Sequence, residues 1–441
     1  MPGAISNIAS ILSVLMILGV AALFMVDVPL PPSSHLLSAL AIIAFALPSF
    51  WAARRWLGWR DAALLFGVLG SFALLVEYVA VITAIPYGRF EYSNLLGYKL
   101  FGAVPWTVAV AWTPLVLGAY SVSANLTRSR GSRMIVLTCL LIVVDLVLDP
   151  GAVKLRFWNY GSNGFYYGVP LSNFAGWFLS GSAVAALMEV LISRFKPLLP
   201  VPVQLASSAG LTVYFWTVVA AVTGLIFPAA IGMIVMLGFV IFWRRYHFAF
   251  DDMIVMVDDE NNAVGTGRKL DSHHSDTRLH RAFSVFLFNA RGELLLQQRS
   301  FGKKTWPGVW SNSCCGHVML HESVENAARR RLKYELGLRG TKLMLALPDF
   351  RYRAERDGVV ENEICPVLIG FSDTEPIPNM QEVASIRWIS WEEFLSFAGS
   401  GDSDISPWAI QEAKLLAESD LFQEWFSREV GVPEPASSAV C

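Results

Sequence analysis

The sequence predicts a multi-pass α-helical membrane domain of about eight spans, followed by an α+β soluble domain. Composition and charge distribution carry that reading. Hydrophobic residues make up 54% of the 441 and charged residues only 16%, against about 25% charge in an ordinary soluble domain. The charges are also unevenly placed, since residues 1–243 hold only 12 of the 34 Lys+Arg and 7 of the 36 Asp+Glu. Beyond them, long apolar runs give way to short ones between turn signals. This balance excludes a disordered chain, a collagen and a nucleic-acid binder held by basic patches. No nucleic-acid partner is expected.

A spanning helix needs about 20 mostly apolar residues. Eight stretches qualify, near 8–27, 34–53, 62–84, 101–122, 134–150, 173–193, 209–225 and 226–243, the last two separated around Phe227–Pro228. The start, MPGAISNIAS, has no basic n-region, so it reads as part of the first span rather than a signal peptide. Arg54, Arg55 and Arg60 follow the second span. Arg128, Arg130 and Arg133 follow the fourth, Arg194 and Lys196 the sixth, and Arg244 and Arg245 the last. Loops after odd-numbered spans carry few such charges. Basic loops mark the cytoplasmic side, so both termini and the soluble half are expected there, at the cytoplasmic (inner) membrane.

The domain boundaries expected are 1–245 for the membrane half, 251–430 for the soluble half and 431–441 for a flexible tail. In the soluble half MIVMVDD, AFSVFLFN, ELLLQQR, ENEICPVLIGF and SIRWISW read as strands. ESVENAARRRLKYELGL reads as an amphipathic helix that stops at Gly337, and PWAIQEAKLLAESDLFQEWFSREV as one closing helix. The five cysteines, Cys139, Cys314, Cys315, Cys365 and Cys441, include no C-x-x-C pair. Neither a zinc ribbon nor a disulfide framework is indicated, and a reducing compartment fits the soluble half.

The segment GHVMLHESVENAARRRLKYELGL places Gly316, Glu322, Arg330, Glu335 and Gly337 in the order of the Nudix box, G-x5-E-x7-R-E-U-x-E-E-x-G-U with U apolar. Such a loop and helix aim carboxylates at metal ions that bridge a diphosphate. Two positions depart: Arg331 and Tyr334 stand where the box has glutamates. A hydrolytic metal cluster is therefore expected to be crippled, and Arg331 to hold phosphate oxygens instead.

Around the box lie TRLHRAF, WPGVWSNSCCGH, FRYRA and ENEICPV, in an order and spacing that closely resemble type 1 isopentenyl-diphosphate Δ-isomerase, a Nudix-fold enzyme. The resemblance runs from about Met253 to Trp408. It implies isopentenyl and dimethylallyl diphosphate as substrate and product. Moving the double bond needs one proton delivered at C4 and another removed at C2. The resemblance implies that Cys315 and Glu363 do this from opposite faces, with Tyr352 beside Glu363 and the ring of Trp408 stabilising the carbocation. It further implies a metal site of His273, His280, His317, Glu361 and Glu363, suited to Mn²⁺, Zn²⁺ or Mg²⁺. Glu335 is implied as ligand of a second ion, a diphosphate-bridging Mg²⁺. Lys269, Arg299, Lys303 and Arg331 are the implied diphosphate cations. Some residues keep a plainer reading: Trp408 as core, Cys314 and Cys365 as packing, His274 and His321 outside any ligand position.

In the membrane half, EYVAVITAIPYGRFEYSNLLGYKLFGAVPW, VVDLVLDP and FYYGVPLSNFAGWF resemble membrane carotenoid-biosynthesis proteins of the bacterioruberin-hydratase type. That implies a linear carotenoid, reached from membrane lipid, as substrate. Glu77, Asp145 and Asp149 are carboxylates inside expected spans, where a charge is costly and marks function by default. Asp145 and Asp149 are four apart and share a helix face. Hydrating an alkene needs an acid to protonate carbon and a base to direct water. Asp149, next to Pro150, also reads as a helix-end residue. Arg89, Tyr92 and Trp177 are expected at the same mouth. The alternative for the whole chain is a Nudix hydrolase of a prenyl or nucleotide diphosphate, with the membrane half serving only as a carotenoid- or lipid-binding anchor.

Overall fold

A computed structural model describes residues 2–28, 34–161, 164–400 and 404–430. The stretch expected as a flexible tail, 431–441, lies outside the described residues. The chain divides into two compact units, Met1–Phe248 and Ala249–Cys441.

Among the described residues the first unit is a bundle of eight helices: α1 (Pro2–Asp27), α2 (His35–Leu57), α3 (Trp59–Thr83), α4 (Val108–Leu126), α5 (Arg130–Lys154), α6 (Leu171–Phe195), α7 (Ser207–Val222) and α8 (Ile226–Tyr246). Seven helices in the described residues are long and apolar enough to cross a membrane, and Leu12–Asp27 of α1 is a shorter apolar helix. This is a membrane protein. The expected fourth span starts too early: residues 101–107 belong to a turn and to strand pairing, and α4 begins only at Val108. The break between the last two helices lies at Thr223–Leu225, where Gly224 takes φ +75°. Pro228 sits in the first turn of α8, where its missing N–H costs no bond. Likewise α5 runs through Pro150 to Lys154, which puts Asp149 inside the helix and buried, not at its end.

Two small antiparallel pairs lie in the connections between the helices. The strands are β1 (Phe90–Tyr92), β2 (Lys99–Leu100), β3 (Val104–Pro105) and β4 (Trp158–Tyr160). β1 pairs with β4, setting Tyr92 opposite Trp158 and Phe90 opposite Tyr160. β2 pairs with β3.

The second unit is built on one 11-stranded sheet. Its elements are β5 (Met253–Val257), β6 (Ala263–Arg268), α9 (Lys269–Ser272), β7 (His280–Phe288), β8 (Glu293–Arg299), β9 (Trp310–Ser311), β10 (Cys314–His317), α10 (Val324–Leu336), β11 (Lys342–Leu347), β12 (Arg351–Arg356), β13 (Val359–Ile364), β14 (Val367–Phe371), β15 (Val383–Ser390), α11 (Trp391–Ser400), α12 (Pro407–Ala417) and α13 (Asp420–Val430). The strand expected over ENEICPVLIGF is two strands, because the run breaks at Cys365–Pro366. The expected closing helix is likewise two, α12 and α13, parted at Glu418–Ser419.

β7 is the hub. It pairs antiparallel with β5, β8 and β10, and parallel with β13 and β14. Both its faces are covered, so it reads as a near-continuous apolar run. Phe283, Val285 and Leu287 pack on one side with Ala327, Ala328, Leu332 and Leu336 of α10. Phe286 and Phe288 pack on the other with Phe394, Trp408, Leu416 and Trp425 from α11–α13. Each such side chain, fully buried, contributes about 1.5–3 kcal/mol. The Ser323 side chain caps α10 by accepting from the Asn326 N–H, and Gly337 ends it at φ +71°.

Candidate active sites

In the second unit, strand register brings the implied metal ligands together. Glu363 pairs with His280, and His317 stands opposite Ala282. His273 follows α9, and the alternation of β13 puts Glu361 on the same face as Glu363. One ligand atom from each of His273, His280, His317, Glu361 and Glu363 lies within 4.8 Å of all the others. His273 Nε2 is 3.1 Å from Glu361 Oε2. His280 and His317 Nε2 are each 3.3 Å from Glu363 Oε1. The Nδ1 atoms of His273 and His280 are held by the carbonyls of Lys269 and Arg278, at 2.7 and 2.8 Å. That fixes the rings with Nε2 inward. The three Nε2 atoms and Glu361 Oε2 are buried yet take no hydrogen bond. Orphaned nitrogen and oxygen donors converging on one point fit a divalent cation.

Beside this cluster, the Tyr352 hydroxyl donates to Glu363 Oε2 at 2.7 Å. The rings of Tyr352 and Trp306 lie 5.4 and 5.3 Å from that of Trp408, forming an aromatic wall. Trp408 is buried and its Nε1 donates to Ser311 Oγ at 3.1 Å. Cys315 stands opposite Ser284 of β7. Its Sγ donates to Asn312 Oδ1 at 3.0 Å and is 3.5 Å from Ser284 Oγ. Burial, and next the Glu412 carboxyl, push the Cys315 thiol up to about 12. Cys314 points the other way, its Sγ 3.7 Å from Glu335 Oε2.

The four implied diphosphate cations share one neighbourhood. Lys269 feels Arg331, Lys303 and Arg299. Burial, and then those charges, bring its ammonium down to about 8. Arg299 is braced by the carbonyls of Thr305 and Trp306. Arg331 pairs with Glu335, which is fully buried, and with Glu382 at 3.1 Å. Lys303 reaches Glu382 at 2.8 Å, whereas the adjacent Lys304 bonds the Leu270 carbonyl. Burial works against ionisation of Glu382, but Lys303 and Arg331 hold its carboxyl down at about 2. The surviving box pair joins the end of β10 to the segment that precedes α10. Arg330 makes a fork to both Glu322 oxygens and also bonds the carbonyl of His317, the last residue of β10.

Sequence reasoning missed Ser284, Asn312, Glu382 and Glu412. Glu412 is fully buried, and Cys365 Sγ donates to its Oε1 at 3.9 Å. The one signal for it is its place four residues after Trp408, on the same face of α12.

The first unit encloses a cavity of about 420 Å³, lined mainly by apolar and aromatic side chains, with Glu77, Asp149 and Asn173 among them. Glu77 Oε2 accepts from the Tyr92 hydroxyl at 2.9 Å. Asp149 accepts from Trp158 Nε1 at 3.0 Å, the Tyr160 hydroxyl at 2.8 Å and Asn173 Nδ2 at 2.6 Å. Asn173 also donates to Asp145 Oδ2 at 2.8 Å. Asp145 is buried but does not line the cavity. Tyr92 and Trp177 line it and Arg89 does not. On a strand, Phe90 and Tyr92 face in, so the neighbour before Phe90 faces out.

A family model described as "Carotenoid biosynthesis protein" matches residues 11–239, and one described as "NUDIX domain" matches residues 278–409. The isopentenyl-diphosphate Delta-isomerase of Saccharopolyspora erythraea is 50% identical over 168 residues, covering 38% of this chain and 87% of that protein. The enzyme of the same name from Frankia alni is 45% identical, covering 38% and 88%. That from Citrobacter koseri is 42% identical, covering 39% and 96%.

Proposed function

The chain belongs to the carotenoid biosynthesis protein family over its N-terminal half and to the isopentenyl-diphosphate Delta-isomerase family over its C-terminal half, and from that membership we propose that the C-terminal half interconverts isopentenyl and dimethylallyl diphosphate. The observation that carries this reading is the meeting of Cys315, the Tyr352–Glu363 pair and the Trp408 ring beside four cations. Lys269, Arg299, Lys303 and Arg331 hold the diphosphate. One of the two proton-bearing groups, Cys315 or the Tyr352–Glu363 pair, delivers a proton to one end of the allylic unit, and the other removes a proton from the far end. Because the reaction runs both ways, each takes either role according to direction. Between the two events the charge is a tertiary cation. The buried rings of Trp408, Trp306 and Tyr352 stabilise it and keep water out.

His273, His280, His317, Glu361 and Glu363 would hold a divalent metal ion, and Glu335 would serve as a ligand of Mg²⁺ brought with the diphosphate. When bound, these ions supply positive charge that polarises Glu363 and neutralises phosphate oxygens. The decisive experiment feeds the purified protein isopentenyl diphosphate with Mg²⁺ and looks for dimethylallyl diphosphate. Release of inorganic phosphate with no isomer formed would favour a hydrolase instead.

For the membrane half we propose hydration of an end double bond of a linear carotenoid. The carboxylates set in an aromatic cavity support this reading over a mere anchor. The distribution of Lys and Arg supports a cytoplasmic location for the isomerase half. The two halves act as separate domains with boundaries near 1–245 and 251–430. They share a metabolism, since one makes the starter of prenyl chains and the other finishes a prenyl pigment.

A further inference from the structure

The three carboxylates of the membrane unit are not equivalent, and their donors divide them. Asp149 receives three hydrogen bonds, from Trp158, Tyr160 and Asn173. Both of its oxygens are thereby held by fixed donors, so its place and orientation at the cavity are set. Glu77 lines the same cavity and, among the described residues, receives one, from Tyr92. Asp145 stands behind, its Oδ2 on Asn173 and its Oδ1 buried without a hydrogen-bond partner among the described residues. The Asn173 amide therefore ties Asp145 to Asp149 and holds Asp149 against the cavity.

The cavity also limits what it can take. Its size, about 420 Å³, is that of a pocket for a drug-sized ligand, not for a full-length carotenoid. Phe24 of α1 and Leu37 of α2 line it while being 60% and 66% exposed. It is reached from an apolar surface, as suits a molecule dissolved in lipid that enters by one end. The Trp112 and Trp177 rings, stacked at 5.6 Å, face the same space.

Resting on the hydration reading above, we propose that Glu77 is the proton donor of the membrane site and that Asp149, anchored by Trp158, Tyr160 and Asn173, is the base that activates water. The Glu77 O–H bond breaks and its proton goes to the less substituted carbon of the end double bond, whose π pair forms the new C–H bond. The tertiary cation left behind is faced by Trp112 and Trp177. A water molecule attacks it and forms the C–O bond as Asp149 takes the water proton. Transfer of that proton back to Glu77 resets the site. Asn173 is a positioning residue: it acts through Asp149.

The test uses the full chain in membranes containing a linear carotenoid, with Glu77→Gln, Asp149→Asn and Asn173→Ala variants. Carotenoid binding by the variants reports folding of the first unit, because the isomerase half belongs to a separate unit and would stay active beside a misfolded bundle. Glu77→Gln should lose hydration by about 10²-fold or more, while carotenoid binding, read by visible absorption, persists. The infrared carboxylic-acid C=O absorption of the wild type should lose one component in Glu77→Gln that survives in Asp149→Asn. Asn173→Ala should lower kcat more than it raises KM. Undiminished hydration by Glu77→Gln, or a carboxylic-acid component that disappears with Asp149 instead, would overturn the assignment. A wild type that binds the carotenoid but forms no hydrated product would sink the hydration reading itself, whereas a hydrating wild type with an equally active Glu77→Gln would sink only the donor assignment.

Discussion

Tyr352 donates its hydroxyl hydrogen to Glu363 Oε2 at 2.7 Å, while Glu363 Oε1 faces His280 and His317 at 3.3 Å. One carboxylate thus presents one oxygen to the histidine cluster and the other to the tyrosine and the substrate face. Tyr352→Phe should keep the metal content measured by atomic absorption and lower kcat by roughly 10-fold or more, below the effect of losing a general acid–base group outright. Loss of metal in this variant would show that the hydroxyl serves the metal site instead.

Cys315→Ala and Glu363→Gln should each reduce isomerisation by about 10²-fold or more, with diphosphate binding by calorimetry retained. The cations that hold charge are other residues. Near-normal turnover by Cys315→Ala would exclude the proposed proton transfer.

Arg331→Glu removes the partner of a fully buried carboxylate, Glu335. Breaking such a pair costs about 3–5 kcal/mol, so thermal stability should fall, and diphosphate binding with it. The variant should not become an efficient hydrolase, because Tyr334 still leaves the box short of a glutamate. Rapid phosphate release would show that the box departures are not what separates this chain from hydrolases.

Glu382 has its carboxyl held from 4.5 down to about 2. A lowered folded-state value means stability that is present above about pH 4.5 and lost as pH falls through about 2. Melting temperatures of wild type and Glu382→Gln, measured from pH 6 to pH 2, should therefore converge as the acid end is approached. A gap that is constant with pH would mean that Glu382 carries no ionised pair.

A fragment that begins near Tyr246 should be soluble without detergent and active as an isomerase, since all residues assigned to that site lie downstream. The complementary fragment ending near Arg245 should insert in membranes and keep any carotenoid activity. An inactive or insoluble C-terminal fragment, beside an active full-length chain, would mean that the halves depend on each other.

Short-range signals are legible in the sequence. Apolar runs reveal the helices, and Gly337 ends α10 in the sequence reading as it does in the fold. What stays hidden is long-range or competes with a local cue. Pro150 suggests a helix end, yet packing carries α5 past it, and so Asp149 lies inside. The pairing of Phe90–Tyr92 with Trp158–Tyr160 joins distant loops, and no periodicity announces it. Glu382 and Glu412 look like surface charges in a charge-rich half. Only the fold shows that one faces Lys303 and Arg331 and that the other is fully buried beside Cys365. Of the candidate isomerase site, the proposed ligand set and cations enter through the family resemblance that the motifs carry. The groups that orient Cys315, namely Ser284 and Asn312, do not.

The placement of β7 at the centre of the sheet also sets a timetable. His280 opens this strand, but its parallel neighbour β13, which brings Glu361 and Glu363, is made much later on the ribosome. Parallel pairing across so much chain is slow, because loop closure must precede any reward. A nascent chain therefore displays three histidines and both apolar faces of β7 before the glutamates arrive. The five-residue cluster is accordingly complete only once the chain has been made through Glu363 and the parallel pair of β7 and β13 has closed.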